Sequence, residues 1–123
     1  MCFVSIRPED IFRYRGNGKG VLIDVRDNEE YVRSHIPGAI NIPYGEIQNR
    51  IPQIKELTRP RTGGGSVFLI LYCERGNTSL LAARDLCRAG FTVKNVHGGI
   101  HGYHGPLVSS PLTEQEKAVT IKQ

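Results

Sequence analysis

Short apolar runs alternate with amphipathic segments along this chain, and that alternation restricts the folds open to it. Residues 67–72 are continuously apolar, and residues 21–25 form a second compact, mostly apolar run. A continuous run of this kind is typical of a strand covered on both faces of a parallel sheet. Between the runs, apolar residues recur at helical spacing at Ile47, Ile51, Ile54 and Leu57. Strands that alternate with helices predict an α/β fold whose parallel sheet has helices on both faces.

The same pattern predicts the individual elements. We expect strands at residues 21–25, 39–43, 67–72 and 91–96. We expect helices in the segment that begins at Arg7 and Pro8, in the segment after Asp27 and over residues 47–57. A last helix is expected to start near Thr78. Pro52 is expected to bend or divide the third helix, and Gly90 is expected to end the fourth.

Length and charge are those of an ordinary globular domain. The 123 residues are 39% hydrophobic and 23% charged, which is enough for one domain with a single core. The net charge is +4 and no long run of like charges occurs, so no nucleic-acid partner is expected. The longest apolar run, residues 67–73, is too short to span a bilayer, and no membrane partner is expected either.

The cysteines and the first residues bear on the compartment. Cys2, Cys73 and Cys87 are an odd number at irregular spacing, which argues against a disulfide framework and for a reducing compartment. We expect Cys87 to be a packed helix residue and Cys2 to be exposed without a role. The first ten residues include acidic side chains and no long apolar stretch, so no signal peptide is expected. Together these features predict a cytoplasmic protein.

Polar side chains follow two of the predicted strands at the point where each strand ends. Asp24 and Arg26 lie at the end of one strand, and Cys73 directly follows residues 67–72. Ligands of open parallel sheets bind outside the carboxyl ends of the strands, so these residues are expected to share a site. The helix after Cys73 would direct backbone amides and its dipole at the thiol, which favours a nucleophilic thiolate. The alternative is that Cys73 is a small buried apolar residue.

Three segments of the chain resemble the signatures of rhodanese-like domains. They are residues 21–43 (VLIDVRDNEEYVRSHIPGAINIP), the loop at residues 73–79 (CERGNTS) and the closing segment at residues 98–103 (GGIHGY). The resemblance runs in matching order from about Arg7 to Tyr103. It implies a rhodanese-like fold, with a central five-stranded parallel sheet flanked by helices on both faces. We expect the domain at residues 7–105 and a loosely held tail at residues 106–123.

The resemblance also implies roles for single residues. Cys73 matches the nucleophile that takes a sulfane sulfur and becomes a persulfide. The residues that complete the loop match those whose amides hold that sulfur: Glu74, Arg75, Gly76, Asn77 and Thr78. Asp24 and Arg26 match residues that support the site, although a salt bridge from Arg26 to Glu30 explains the arginine equally well. Arg75 either faces substrate, pairs with Glu74 or lies in solvent.

A rhodanese-like domain implies sulfur transfer without a metal or an organic cofactor. A small-molecule donor such as thiosulfate would load Cys73, and a thiophilic acceptor such as cyanide or a thiol would remove the sulfur. The alternative is a persulfide carrier or redox-sensing module that acts with a protein sulfur donor or acceptor. Both alternatives need the same loop, so the sequence does not separate them.

Two other kinds of site are not favoured by the sequence. A phosphatase loop of this fold needs arginine at the seventh loop position, where this chain has Ser79. His97, His101 and His104 cluster around a Gly-Gly pair, but no helix runs through such a pair to align them, and no cysteine or carboxylate lies nearby. We therefore expect hydrogen-bonded surface histidines and no metal site.

Overall fold

The computed structural model describes residues 3–15, 20–60 and 67–109, and these contain five strands and four α-helices. The strands are β1 (Val4–Ile6), β2 (Gly20–Asp24), β3 (Ile40–Asn41), β4 (Phe68–Tyr72) and β5 (Val93–Val96). The α-helices are α1 (Ile11–Arg15), α2 (Asn28–Arg33), α3 (Ile51–Leu57) and α4 (Asn77–Arg88). Short 3-10 helices occupy Pro8–Asp10, Tyr44–Glu46, Gln48–Arg50 and Ile100–Gly102.

The strands form one parallel sheet in the order β1-β5-β4-β2-β3. The central strand is β4, in which Leu71 pairs with Ile23 of β2 and with Asn95 of β5. A central strand of a parallel sheet is covered on both faces, which explains its continuous apolar sequence. Asp24 lies opposite Tyr72 at the ends of β2 and β4, so the residues that follow these strands meet at one edge of the sheet.

Each face of the sheet packs against its own apolar cluster. On one face, Leu71 belongs to a cluster with Ile54 of α3 and Leu86 of α4. On the opposite face, Ile70 belongs to a cluster with Ile11 of α1. Because side chains alternate along a strand, neighbouring residues of β4 supply the two clusters in turn. This arrangement confirms the expected fold class, an α/β fold with helices on both faces of a five-stranded parallel sheet.

The two edge strands account for most of the difference between the expected and observed strands. No apolar run indicates β1, because it is a three-residue edge strand in which Val4 and Ser5 are exposed. At the other edge, the strand expected over residues 39–43 is limited to Ile40–Asn41. Edge strands have a partner on one side only, so they are short and leave a weaker sequence pattern.

The helix expected over residues 47–57 is divided, as Pro52 suggested, but the division lies before the proline. Ile47 separates two 3-10 turns, and α3 then begins at Ile51 with Pro52 in its first turn. A proline in the first turn of a helix sacrifices no hydrogen bond, because that amide has no partner within the helix. The apolar residues of this stretch nevertheless belong to one cluster, as their spacing predicts.

The start of the expected tail is bound to the domain. Val108 forms an antiparallel bridge with His35, with N–O distances of 2.8 and 2.9 Å, and the Tyr103 hydroxyl donates to the carbonyl of Pro106. Residues 110–123 of that tail lie outside the described residues, so the domain limits stay a prediction. Among the described residues, no helix is both long and apolar enough to cross a membrane.

Candidate active site

Cys73 lies between the central strand and the longest described helix. It directly follows β4 and is 4% exposed. It forms part of the wall of a cavity of about 310 Å³ at the carboxyl edge of the sheet. The cavity is lined by Val25, Arg26, Asp27, Glu30, Tyr44, Gly45, Cys73, Glu74 and Thr78. The position agrees with the expectation that ligands of a parallel sheet bind at this edge.

The Cys73 sulfur is surrounded by hydrogen-bond donors from its own loop. The amide nitrogens of Gly76 and Ser79 lie 3.1 and 3.2 Å from Sγ and donate to it. The thiol in turn lies 3.3 Å from Oγ of Ser79. Hydrogen bonds to the charged form of a group favour that form, and α4 begins at Asn77 with its positive end toward the loop. The loop therefore directs two amide donors and the positive end of α4 at the Cys73 sulfur.

Gly76 gives the loop a conformation that brings its amide to the sulfur. Its φ is +100°, a region that L side chains rarely adopt. A Cβ at this position would also lie 3.1 Å from the nitrogen of Gly98 in the closing segment. Both the backbone angle and the close approach thus require glycine here.

The closing segment of residues 98–103 holds the Cys73 loop from its outer side. The amide of Ile100 donates to the carbonyl of Cys73 at 2.9 Å, and the amide of His101 donates to the carbonyl of Glu74 at 3.0 Å. Gly99 has a φ of +60°, and a Cβ there would collide with those two carbonyl oxygens. Because the Gly-Gly pair lets the two backbones approach, the loop is fixed by main-chain hydrogen bonds.

Asp24 and Arg26 form a buried ion pair beneath the cavity. Nε of Arg26 lies 3.1 Å from both carboxylate oxygens of Asp24, and Nη2 lies 2.8 Å from Oδ2. Nη2 also donates to the carbonyl of Ser34 at 2.6 Å. Burial by itself lowers the pKa of Arg26, but the hydrogen bonds and charge of Asp24 outweigh burial, so the pKa lies above its ordinary value. The pairing of Arg26 with Asp24 replaces the alternative pairing with Glu30.

This ion pair reaches the active-site loop and the end of β4. Nη1 of Arg26 lies 3.8 Å from Oε2 of Glu74, and the Tyr72 hydroxyl accepts the amide of Ile36 at 3.1 Å. Burial, and after it the negative charge of Asp24, raises the pKa of Tyr72 far above its ordinary value. The tyrosine therefore stays protonated next to the carboxylate. Asp24 and Arg26 thus contact the end of β4 and Glu74 of the Cys73 loop.

The loop residues carried over from the resemblance do not all face the same cavity. Glu74 and Thr78 line the cavity of Cys73, and Gly76 contributes its amide. Arg75 and Asn77 are exposed and instead line a second cavity on the outer side of the loop. Glu74 pairs with Arg26 and not with Arg75, which was the alternative that the sequence left open.

Ser79 is a site residue that the sequence analysis missed. We considered this position only because a phosphatase would have arginine there. Its side chain is fully buried, and its hydroxyl and its backbone amide each contact the Cys73 sulfur. Tyr44 and Gly45, which line the cavity from the segment after β3, were also missed. No spacing relative to Cys73 indicates these two residues, because the fold alone brings them near it.

None of the three clustered histidines lines the cavity of Cys73, and Cys87 does not line it either. His97 faces the second cavity, and no group of three or more metal-ligating side chains occurs in residues 3–15, 20–60 and 67–109. Cys87 is half-buried on α4 and is disulfide-bonded, whereas Cys73 is a free cysteine. The expectation that Cys87 is a packed helix residue is confirmed, because it packs against the core cluster that contains Leu86, whereas its disulfide bond was not expected from the sequence.

Comparison with known proteins agrees with this geometry. The chain is 36% identical over 90 residues to a tRNA sulfurtransferase of Desulfurococcus amylolyticus, a match that covers 73% of this chain and 16% of that protein. It is 35% identical over 85 residues to the putative sulfur carrier protein YrkF of Bacillus subtilis, covering 68% of this chain and 41% of that protein. The chain thus spans less than half the length of these two relatives.

A solved structure that the chain matches over nearly its whole length supports the fold. The structure described as "rhodanese with anions from E. coli" superposes with a TM-score of 0.58 and 32% identity. The match covers 74% of this chain and 99% of that one. The model of the rhodanese-like domain matches residues 8–105. The chain therefore belongs to the rhodanese-like domain family.

Proposed function

We propose that this chain is a sulfurtransferase that moves a sulfane sulfur through a persulfide on Cys73. The observation that carries the proposal is the pair of amides, from Gly76 and Ser79, that donate to the Cys73 sulfur. Two relatives named as a sulfurtransferase and a sulfur carrier protein support a role in sulfur transfer. Among small-molecule donors we propose thiosulfate, because the donors around the sulfur suit an anion.

The proposed reaction has two displacement steps at sulfur. The Cys73 thiolate attacks the outer sulfur of thiosulfate, a new S–S bond forms, and the S–S bond of thiosulfate breaks. Sulfite leaves with the bonding electron pair, and Cys73 becomes a persulfide. An acceptor such as cyanide then attacks the outer sulfur and leaves as thiocyanate, which restores the thiolate. No external oxidant or reductant is consumed.

The loop that surrounds Cys73 supports the first step. Its amides stabilise negative charge on sulfur both before attack and in the persulfide, because they are fixed by the helix and the closing segment. Glu74 lies at the mouth of the cavity, where its negative charge would oppose an anionic donor. The guanidinium of Arg26, at 3.8 Å from the Glu74 carboxylate, offsets that charge. Thr78 adds a hydroxyl at the same opening.

For Arg75 we propose a role in attracting the donor and not in holding it. The side chain is exposed and lines the neighbouring cavity, so its charge acts on thiosulfate over some distance. Arg75→Gln is then expected to raise KM for thiosulfate and to reduce the salt dependence of kcat/KM. Arg88→Gln, at the far end of α4, serves as the matched control. Equal salt dependence in Arg75→Gln and the control would contradict this role.

The second candidate is a persulfide carrier loaded by a protein donor. The similarity to a putative sulfur carrier protein favours it, and the chain would then turn over small donors poorly. Both candidates use the Cys73 persulfide, so they differ only in the donor. A redox-sensing role would use the same thiolate without storing sulfur.

A steady-state assay tests the enzyme against the carrier. Thiosulfate and cyanide are supplied to the chain and to Cys73→Ser, and thiocyanate is measured over time. Many turnovers per chain that vanish in Cys73→Ser would support the enzyme. No turnover with thiosulfate, together with release of one equivalent of thiocyanate from chain preloaded by a protein persulfide, would support the carrier and contradict the enzyme.

A further inference from the structure

The wall of the Cys73 cavity carries acidic side chains from two separate elements of the fold. Asp27 directly precedes α2 and Glu30 lies in the first turn of that helix, and both residues line the cavity. Glu74 lines it from the Cys73 loop, and the side chain of Glu74 is 53% exposed. A molecule that reaches the sulfur therefore passes carboxylates on its way in.

The guanidinium of Arg26 does not balance these carboxylates. Of the described residues that line the cavity, Arg26 alone is cationic, and its Nη2 lies 2.8 Å from Oδ2 of the buried Asp24. Its contact with Glu74 is longer, at 3.8 Å. Within the part of the chain that the structure describes, no cation lies within ion-pair distance of Asp27 or Glu30. An excess of negative charge thus faces the interior of the cavity.

The inner end of the cavity has the opposite character. There the amides of Gly76 and Ser79 donate to the Cys73 sulfur, and the positive end of α4 is directed at the same atom. These donors suit a negatively charged sulfur, whereas the carboxylates on the wall attract a positive charge. A reactant that matches both ends has an anionic sulfur and a cationic group a short chain apart.

We propose that the acceptor that removes sulfur from Cys73 is a small aminothiol, and that Asp27 and Glu30 select it through its ammonium group. The inference rests on the proposed function, because it requires a persulfide on Cys73. The cavity of about 310 Å³ lies at the lower end of the range for small-molecule sites, which suits a short thiol. Asp27 and Glu30 are thus residues that determine specificity, and Cys73 remains the group that reacts.

The transfer to the acceptor is a displacement at sulfur. The acceptor thiolate attacks the outer sulfur of the Cys73 persulfide, and a new S–S bond forms between them. The bond from that outer sulfur to Cys73 breaks, and Cys73 leaves as a thiolate with the bonding electron pair. The transferred sulfur keeps its proton, so no oxidant, reductant or further proton donor is consumed.

The wall carboxylates act in opposite directions on the two steps of the proposed reaction. Thiosulfate is a dianion, so negative charge on the wall opposes the loading of Cys73 and favours the approach of a cationic thiol. Removing one of these charges is therefore expected to speed loading by thiosulfate and to slow unloading by an aminothiol. Damage to the structure of the site would instead slow both steps.

The experiment measures the two steps separately on the full chain. Loading of Cys73 by thiosulfate is followed by intact mass, the excess donor is removed, and the loss of sulfur to an acceptor thiol is then followed in the same way. The acceptors are cysteamine, mercaptoethanol and mercaptopropionate, which have similar lengths and carry a positive charge, no charge and a negative charge. Each thiol is compared only with itself across the variants, so differences in intrinsic reactivity cancel.

Charge-removing variants identify the residues that select the acceptor. Glu30→Gln is expected to slow unloading by cysteamine about twofold to fivefold, to speed unloading by mercaptopropionate by a similar factor, and to leave mercaptoethanol unchanged. Asp27→Asn is expected to act in the same direction, and asparagine is equally suited to the position before a helix. Glu29→Gln, in the same turn of α2 but outside the cavity, is the matched control.

Two results would overturn the inference while sulfur transfer stands. One is a cysteamine rate that is the same in Glu30→Gln, Asp27→Asn and the Glu29→Gln control. The other is equal slowing of cysteamine and mercaptopropionate, which would mean that the variants disturb the structure and not the charge. A chain whose Cys73 takes up no sulfur would contradict the proposed function and this inference with it, so the loading measurement separates the two failures.

Discussion

The amide nitrogen of Ser79 lies 3.2 Å from Sγ of Cys73, and its hydroxyl oxygen lies 3.3 Å from the same atom. The two residues are six positions apart, at the end of β4 and in the first turn of α4. This double contact exists because the loop turns back on itself at Gly76. Ser79 thereby connects the Cys73 sulfur to the positive end of the helix.

Ser79→Ala is expected to slow alkylation of Cys73 by iodoacetamide at neutral pH about three- to tenfold. The hydroxyl donates to the carbonyl of Gly76 at 3.4 Å and can turn to donate to the thiolate instead. Its removal then costs roughly the net energy of one hydrogen bond, while the amide contact remains. The measurement is the second-order alkylation rate, with Thr92→Ala as the control that removes an exposed hydroxyl elsewhere. An unchanged rate in Ser79→Ala would show that the hydroxyl does not stabilise the thiolate.

Gly99→Ala is expected to reduce the free energy of unfolding by at least about 3 kcal/mol. Two costs add together: the strain of a side chain at a positive φ, and the collision of its Cβ with two loop carbonyls. Gly90→Ala is the matched control. Gly90 also has a positive φ, +102°, but its Cβ would meet open space. We expect this control to lose only about 1 kcal/mol in urea unfolding. Equal losses in the two variants would show that the closing segment does not constrain the loop.

Asp24→Asn is expected to destabilise the chain by about 3 kcal/mol, because the guanidinium of Arg26, which is 8% exposed, loses its buried charge partner and keeps the exposed carboxylate of Glu74 at 3.8 Å. Arg26→Met is expected to be costly for the same reason. The double variant should lose clearly less than the sum of the two single losses. Urea unfolding of all four chains gives this coupling, and strict additivity would contradict a buried pair.

Tyr72→Phe tests the raised pKa of Tyr72 through the pH dependence of stability. In the unfolded chain Tyr72 has the ordinary pKa of 10.0 and releases its proton above that pH. The folded chain keeps the proton at the same pH, because its pKa is raised. The contribution of this group is therefore complete below pH 10 and is lost as the pH rises further.

The measurement is the free energy of unfolding of the unchanged chain and of Tyr72→Phe between pH 8 and pH 11. The unchanged chain should be more stable near neutral pH, by about 1 kcal/mol for the hydrogen bonds of the hydroxyl. That advantage should shrink by about 1.4 kcal/mol for each pH unit above about 10, because Phe cannot titrate. Parallel pH profiles would mean that Tyr72 has an ordinary pKa in the folded chain.

The central part of the fold was predictable from sequence because it depends on burial. A continuous apolar run such as β4 is compatible with few environments other than the middle of a parallel sheet. The edge strand β1 was not predictable from such a run, since three residues with one buried side chain leave almost no pattern. The break before Pro52 depends on packing that spacing alone does not describe.

The site was predictable to the extent that its residues are contiguous in sequence. Cys73 and the amide of Gly76 follow from one strand, one loop and one helix start. The separation of Arg75 and Asn77 into a second cavity did not follow, because the direction of each loop side chain depends on the backbone turn. Asp24 and Arg26 were predicted to lie near the site because they follow a strand, while their pairing with each other and the contact of Arg26 with Glu74 required the structure.

The most direct test of the proposed function is the intact mass of the chain after incubation with thiosulfate, beside Cys73→Ser. We predict one added sulfur atom that maps to Cys73, is absent from the variant, and is released as thiocyanate when cyanide is added. A chain that gains no sulfur from thiosulfate or from a protein persulfide, although Cys73 still reacts with iodoacetamide, would contradict sulfur transfer through this residue.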